Sequence, residues 1–272
     1  MDSKEKRNKI IKVVIISLVL LLSSVSLYRD NFITRGKLII TVFNVGQGDS
    51  ILIKTPNRKK VLIDGGPNSS VMEKIPYDFP FFTCNFDIVV STHSHEDHLE
   101  GLKSVLKRCR VTALVLNDPS SPLIPLLKDG KIILAYSGDE FSLDGVDFKV
   151  IWPGSSYKAS DINDFSMVLF MQYKDYKALF AGDSETKDYL MSFNEDIDFL
   201  KVPHHGSYDE SLNAFLEKAK PEIMAISVGK NSFGHPSEKV LGIANKFGVK
   251  VFRTDINGDI FVSIDSWGNS SY

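Results

Sequence analysis

Cysteine is scarce in this chain. Only Cys84 and Cys109 occur, which excludes a CxxC metal knuckle and a disulfide-dense scaffold. The two leave room for one bridge, but a pair of core thiols is the preferred reading. An excess of charge of one sign is also missing. The 32 Lys and Arg nearly balance the 34 Asp and Glu, for a net charge of -2. No global basic field therefore marks a nucleic-acid binder, although net charge says nothing about local patches. No internal repeat, low-complexity tract or dividing linker interrupts residues 37–272, which excludes array architectures. Histidine is sparse too, with six in the chain and none across 99–182.

What remains is ordinary globular composition, 43% hydrophobic and 24% charged over 272 residues. Residues 37–272 suffice for one large α/β domain with a well-buried core. Residues 1–36 form a separate region. Lys4, Lys6, Arg7, Lys9 and Lys12 precede an uncharged run over 13–28. Spanning a bilayer takes about 17–25 residues, so 10–28 is expected to be a single-pass membrane anchor if Lys12 reaches the interface. The basic flank implies a cytoplasmic N-terminus and an exported remainder. The alternatives are a cleaved signal with Ser24-Val25-Ser26 as its site, leaving a secreted domain, and a docking helix. No cysteine follows the run, which excludes a lipoprotein anchor.

The densest chemistry lies in Ser91-Thr92-His93-Ser94-His95-Glu96-Asp97-His98, directly after the apolar run 86–90. A strand ending in this cluster presents imidazoles and a carboxylate at a sheet rim. Two His at i and i+2 can converge on one ion once the chain turns, and the Asp-His pair is aimed at a second position. Such ligands suit Zn²⁺, and Mn²⁺ or Fe²⁺ less exclusively. The competing reading is a His-rich surface loop. Against it, the other three histidines, His204, His205 and His235, each lie near glycine and just before an apparent helix.

The patterning predicts strands at 38–45, 49–54 and 60–63, with Val45-Gly46-Gln47-Gly48-Asp49 as the turn between the first two. Asp64, before two glycines, is expected to orient a metal-ligating histidine through hydrogen bonds. Helices are predicted at 101–108, 124–128, 185–193, 212–220 and from Pro236 to 246, with Ser211 as an N-cap. Further strands are predicted at 111–116, 131–136, 146–152, 199–202, 222–228, 249–253 and 260–264. Residues 167–173 and 177–181 read as a hairpin around Lys174-Asp175. The stretch 153–161 reads as irregular.

These pieces together resemble the metallo-β-lactamase fold superfamily and, within it, the hydrolase domain of the ComEC family of competence DNA-uptake proteins. The matching motifs are NVGQGDS, LIDGG, STHSHEDH, NDFS, AGD, KVPHHGS and FGHP, in that order, over about 38–262. The resemblance implies an α/β fold, an αββα sandwich with a one- or two-metal site at the edge between the sheets, preceded here by one N-terminal apolar helix. It implies that His93 and His95 hold the first ion and Asp97 and His98 the second. Asp183 would bridge them and His204 would complete the second site. His205 and His235 are ligands, transition-state stabilisers or phosphate contacts.

Most of the superfamily supplies another His between the main motif and the bridging Asp. Here Asn163, Asp164 and Ser166 match the Asn-Asp-x-Ser of ComEC-like members, and Asp164 is the candidate substitute ligand. The harder ligand set makes Mn²⁺ an alternative to Zn²⁺. The channel-forming helices of ComEC are absent from the sequence, and Glu100-Gly101 replaces a Gly-Gly, putting a carboxylate near the rim.

Metal coordination makes a nucleophile available near neutral pH. Asp97 or Asp183 would orient it, and His205 or His235 would stabilise charge or protonate the leaving group. Gly206 and Ser207 read equally as a phosphate contact or a plain turn. The expected activity is extracytoplasmic phosphodiester hydrolysis of DNA. The rivals are hydrolysis of another ester or amide, including a lactam, and a non-catalytic metal-binding partner at the membrane. Lys201, Lys230, Lys239 and Arg253 are the residues that would make the cleft basic.

Overall fold

The computed structural model describes residues 3–33, 35–75, 83–157 and 161–272. Part of the irregular stretch expected at 153–161 therefore lies outside the described residues. In chain order the strands are β1 (Leu38–Val42), β2 (Ile51–Lys54), β3 (Lys60–Ile63), β4 (Asn85–Val90), β5 (Arg110–Leu116), β6 (Lys131–Leu134), β7 (Glu140–Leu143) and β8 (Val146–Trp152). They continue as β9 (Val168–Tyr173), β10 (Tyr176–Phe180), β11 (Phe199–Lys201), β12 (Ile223–Ile226), β13 (Lys250–Arg253), β14 (Ile260–Ile264) and β15 (Ser270–Ser271). The helices are α1 (Ser3–Ile33), α2 (Val71–Lys74), α3 (Glu96–Arg108), α4 (Thr186–Tyr189), α5 (Leu212–Ala219), α6 (Glu238–Lys246) and α7 (Thr254–Asn257).

The strands form two sheets, ordered β15-β14-β1-β2-β3-β4-β5-β6 and β13-β12-β11-β10-β9-β8-β7. Alternation along the strands divides their side chains between layers. Leu38, Ile40 and Val42 of β1 meet Phe148, Leu169 and Phe180 of the other sheet in the central core. The opposite face of the first sheet, with Leu62, Val89 and Leu114, packs on Leu99, Leu102, Val105 and Leu106 of α3. The outer face of the second, with Leu200, Met224 and Ile226, packs on Leu212, Phe215 and Leu216 of α5 and Val240 and Ala244 of α6. The result is an αββα sandwich. Burying each of these large side chains is worth about 1.5–3 kcal/mol.

Several expected elements shrink or change. The helix expected at 185–193 is the single turn α4, and that at 124–128 is a 3-10 turn, Ile124–Leu126. Strand β7, unmarked in the patterning, pairs antiparallel with β8 at the edge of its sheet. The two cysteines are bonded to each other, not separate core thiols. Their proximity follows from strand register. Asn85 of β4 is paired with Arg110 of β5, so the residues just before them are neighbours.

The single-pass membrane placement is overturned. Among the described residues no helix is long and apolar enough to cross a membrane. The uncharged run over 13–28 has sixteen residues, diluted by Ser17, Ser23, Ser24 and Ser26, and Lys9 and Lys12 lie before it. That falls short of the roughly 17–25 predominantly apolar residues a span needs.

Candidate metal centre

Parallel strands β3 and β4 of one sheet and β10, β11 and β12 of the other end side by side. The segments following these carboxyl ends supply nearly every side chain of the site, which is where open α/β sheets gather ligands. Asp64 follows β3, residues 91–98 follow β4, Asp183 follows β10, and His204 and His205 follow β11.

The approach is set by backbone contacts. Gly65 N–H donates to the His98 carbonyl at 2.8 Å, and Gly101 N–H to that of Gly66 at 3.0 Å. The first turn of α3 is thereby pressed against the Asp-Gly-Gly loop. A Cβ on Gly101 would meet the Gly65 carbonyl oxygen at 1.8 Å, so the glycine after Glu100 is a packing requirement. Glu100 itself is paired with Lys103. Gly182 has φ of +52° and lies against Ser166 Oγ, where a Cβ would clash.

Two groups of candidate ligands meet at Asp183, and a third, of Asp49, Asp64 and His98, lies beside them. His93, His95 and Asp183 form one, and Asp97, His98, Asp183 and His205 the other, with the ligand atoms of each group within 4.8 Å of one another. Asp183 belongs to both, and its two oxygens face different partners. Oδ1 lies 3.1 Å from His98 Nε2 and 3.7 Å from His205 Nε2, while Oδ2 lies 3.8 Å from His93 Nε2 and 3.9 Å from His204 Nε2. His205 Nε2 is also 3.1 Å from Asp97 Oδ2.

His205, rather than the expected His204, thus stands with Asp97 and His98. The backbone explains the exchange. His204 and His205 have φ of 47° and 52°, and Gly206 has 84°. Three successive left-handed residues turn adjacent imidazoles to opposite oxygens of Asp183. Non-glycine residues in this region cost about 1–3 kcal/mol each and cluster at functional sites.

Asp164 is not brought to either group. Its carboxylate instead acts on Tyr157, Lys187 and Asp188, and with burial helps push Asp188 up to about 6. A single 3-10 turn at Asn163–Phe165 sends consecutive side chains in different directions, and Trp152 Nε1 donates to the Asp164 carbonyl at 2.7 Å. Ser166 is the member of that motif that faces the site. Its Oγ is 3.2 Å from His93 Nδ1 and accepts from Asp183 N–H at 3.0 Å. Asn163 contributes its carbonyl, which accepts from Ser166 N–H at 2.9 Å. Ser207 N–H donates to the His204 carbonyl at 2.8 Å, closing the left-handed turn. His235 lies farther out, its ring 5.6 Å from that of His204.

Behind the ligands lies a buried polar layer. Asp64 Oδ2 is 2.7 Å from His98 Nδ1 and accepts from Thr92 Oγ1 at 2.7 Å, while Oδ1 accepts from Thr92 N–H at 2.9 Å. His205 Nδ1 lies 3.0 Å from the Ser227 carbonyl and 3.4 Å from Asp49 Oδ1. The fully buried Lys201 ammonium pairs with Asp49 Oδ2 and donates to the Val202 carbonyl at 3.0 Å. Asp49 and Lys201 escape the sequence reading. One looks like a turn residue after glycine and the other like a base lining the cleft. The only hint is a lysine closing an otherwise apolar strand.

The electrostatics favour cations. The carboxylates of Asp49, Asp64, Asp97 and Asp183 outnumber the single ammonium of Lys201, and protons on His98 and His205 offset part of that excess in the metal-free chain. Burial pushes His98 down, but the Asp183 and Asp64 carboxylates outweigh it and hold that imidazole well above its ordinary range. His205 is pushed up to about 9, against its burial, by Asp183, Asp49 and Asp97. His93 goes well down through burial and the neighbouring His98. Burial opposes ionisation of Asp183, yet His98, His205 and His93 keep it well below the usual carboxylate range.

Nε2 of His93 is buried without a hydrogen-bond partner, while Nε2 of His98 and Oδ1 of Asp183 face each other at 3.1 Å without a well-aimed hydrogen bond. A buried acidic cluster with poorly satisfied ligand atoms is what divalent ions, displacing the imidazole protons, would satisfy. The residues therefore fit metal. His93→Ala with His95→Ala is expected to lower bound zinc by at least one equivalent, read by elemental analysis, with far-ultraviolet circular dichroism unchanged. Unaltered stoichiometry would remove both residues from the ligand set.

The chain is 29% identical over 254 residues to "ComE operon protein 3" of Bacillus subtilis, covering 81% of this chain and 32% of the relative. It is likewise 29% identical over 246 residues to "Competence protein ComA" of Neisseria gonorrhoeae, covering 88% and 34%. It thus spans about a third of each relative's length. The solved structure of Zn²⁺-bound PqqB from Methylobacterium extorquens superposes with a TM-score of 0.59 at 10% identity, covering 82% of this chain and 99% of that one. The family description "Metallo-beta-lactamase superfamily" matches residues 43–230, and with that match spanning most of the sandwich, the chain belongs to the metallo-β-lactamase superfamily.

Proposed function

We propose that this chain is a metal-dependent phosphodiesterase acting on DNA. The observation that carries the reading is the sharing of Asp183 between two ligand groups, with Oδ1 facing one and Oδ2 the other. When bound, paired divalent ions would supply Lewis acidity and a nucleophile usable at neutral pH, the combination suited to in-line displacement at phosphorus. The mixed imidazole and carboxylate donors accept Zn²⁺ or Mn²⁺. The name of the relative from Neisseria gonorrhoeae, a competence protein, supports a role in competence, which we read as processing of DNA.

The chain's own groups divide the remaining work. Asp97 is a third exposed and lies at the mouth of the second group, where it can orient a nucleophile. His235 is held down by burial and by the neighbouring His204 and His205, so it is neutral at pH 7 and suited to contact substrate oxygen. Lys201 is wholly buried and takes no part in substrate contact, while Arg253 is engaged by Asp255.

The test is a comparison of substrates. The full chain, stripped with chelator and reloaded with Zn²⁺ or Mn²⁺, is assayed on DNA, on a generic phosphodiester and on a lactam. Metal-dependent cleavage of the first two is expected. Cleavage of the lactam alone would overturn the proposal in favour of amide hydrolysis.

A further inference from the structure

From Asp183 outward, rings follow one another to the surface. His204 Nε2 lies 3.9 Å from Asp183 Oδ2, and the His204 and His235 rings meet edge-on at 5.6 Å. The Phe233 ring follows at 5.7 Å from His235, inclined by 31°. Phe233 is 72% exposed. Its loop is nevertheless tied down. Asn231 Nδ2 donates to the carbonyls of Gly229 and His235, each at 2.9 Å, and its Oδ1 accepts from the N–H groups of Phe233 and His235, each at 3.1 Å. Gly229 N–H donates to Gln47 Oε1 at 3.2 Å, joining the loop to the β1–β2 connection.

A lone exposed phenylalanine is unremarkable on a protein surface. This one is different in position and support, since Asn231 ties its loop and its ring follows those of His235 and His204 outward from Asp183. A second exposed ring, Tyr208, lies three residues beyond His205 and carries the Lys239 ammonium 4.5 Å above it. Flat apolar faces combined with a cation beside a phosphodiester site match a polyanion that bears flat rings.

The geometry points to Phe233 as a stacking platform for a nucleobase of the bound strand, an inference that rests on the phosphodiesterase reading and specifies its substrate as base-bearing. Stacking of one base on an aromatic side chain changes affinity by about tenfold or more. The tilted contact with His235, the two planes 31° apart, covers one face of the ring, so a base lying on the free face continues the series of rings that leads to Asp183.

The experiment compares the metal-loaded full chain on a single-stranded thymidine oligonucleotide and on the same backbone with base-free residues. Phe233→Ala is expected to lower the ratio of kcat/KM between the two substrates about tenfold, mainly through KM. Phe233→Trp should restore it. Metal content and melting temperature should match the parent, which a merely structural role would not allow. An unchanged ratio overturns the inference. If the parent cleaves neither oligonucleotide, the phosphodiesterase reading fails. Fluorescence anisotropy of the labelled thymidine strand then judges the stacking by itself. Weakening of about tenfold in Phe233→Ala supports it, and an unaltered Kd overturns it.

Discussion

Asp183→Asn is expected to reduce phosphodiester turnover at least about 100-fold with either Zn²⁺ or Mn²⁺. The figure follows from a comparison of roles. Removing a group that only orients a metal ligand typically costs about 10–100-fold, and a carboxylate standing in both ligand groups should cost no less. The amide matches the carboxylate in shape, so the hydrogen bond from Asp183 N–H to Ser166 Oγ survives. What disappears is the negative charge shared between His98 and His205 on one side and His93 and His204 on the other. One oxygen also becomes an NH₂ donor, which has no lone pair for a cation. Binding of DNA should persist in the variant, because Phe233 and Lys239 lie outside both groups. Because nuclease contamination is common, the variant is also the control for the assay. Equal cleavage by parent and variant would assign the activity to something other than this site.

Lys201→Met is expected to destabilise the fold by about 3–5 kcal/mol, the usual cost of leaving one member of a buried ion pair uncompensated. Lys201 and Asp49 are both essentially inaccessible to solvent. Burial opposes ionisation of Asp49, yet Lys201 and the nearby His205 and His98 keep it well below the usual carboxylate range. Without the ammonium, its charge faces Asp64 with only the His205 and His98 imidazoles to offset it. Urea unfolding of the metal-free chain measures the loss. Lys201→Met combined with Asp49→Leu should recover most of the stability, since apolar pairs often replace buried ion pairs at little cost. Metal affinity should not recover, because Asp49 no longer lies beside His205 Nδ1. Recovery of both properties in the double variant would reduce the pair to a packing element.

The parts of the fold legible in the sequence are those whose cause is local. The run before His93 is apolar and strand-length, and β4 forms there. The hairpin around Lys174-Asp175 forms as β9 and β10, with Lys174 at φ of 55° in the turn. The spacing of Leu102, Val105 and Leu106 marks the inner face of α3, although the helix begins at Glu96, inside the histidine motif.

What escaped depends on partners far away in the chain. The Asp49 carboxylate is indistinguishable from a turn residue until Lys201 and His205 are placed beside it. The order of His204 and His205 in space is decided by three left-handed residues, and adjacency in sequence carries no sign of that. Asp164 and Ser166 belong to one motif, yet a single helical turn separates their directions and only the hydroxyl reaches the site.

The Cys84–Cys109 bond joins the residue just before β4 to the residue just after α3. Everything between them, including His93, His95, Asp97 and His98, is therefore a closed ring of polypeptide. A loop with a sequence separation of 25 loses about 3 kcal/mol of unfolded-state freedom when it is closed. Topologically, these four residues cannot be parted by a single cut. A protease that severs any one peptide bond within the ring opens it to a line whose halves stay tied through sulfur, and the histidine motif leaves the molecule only after a second cut or reduction.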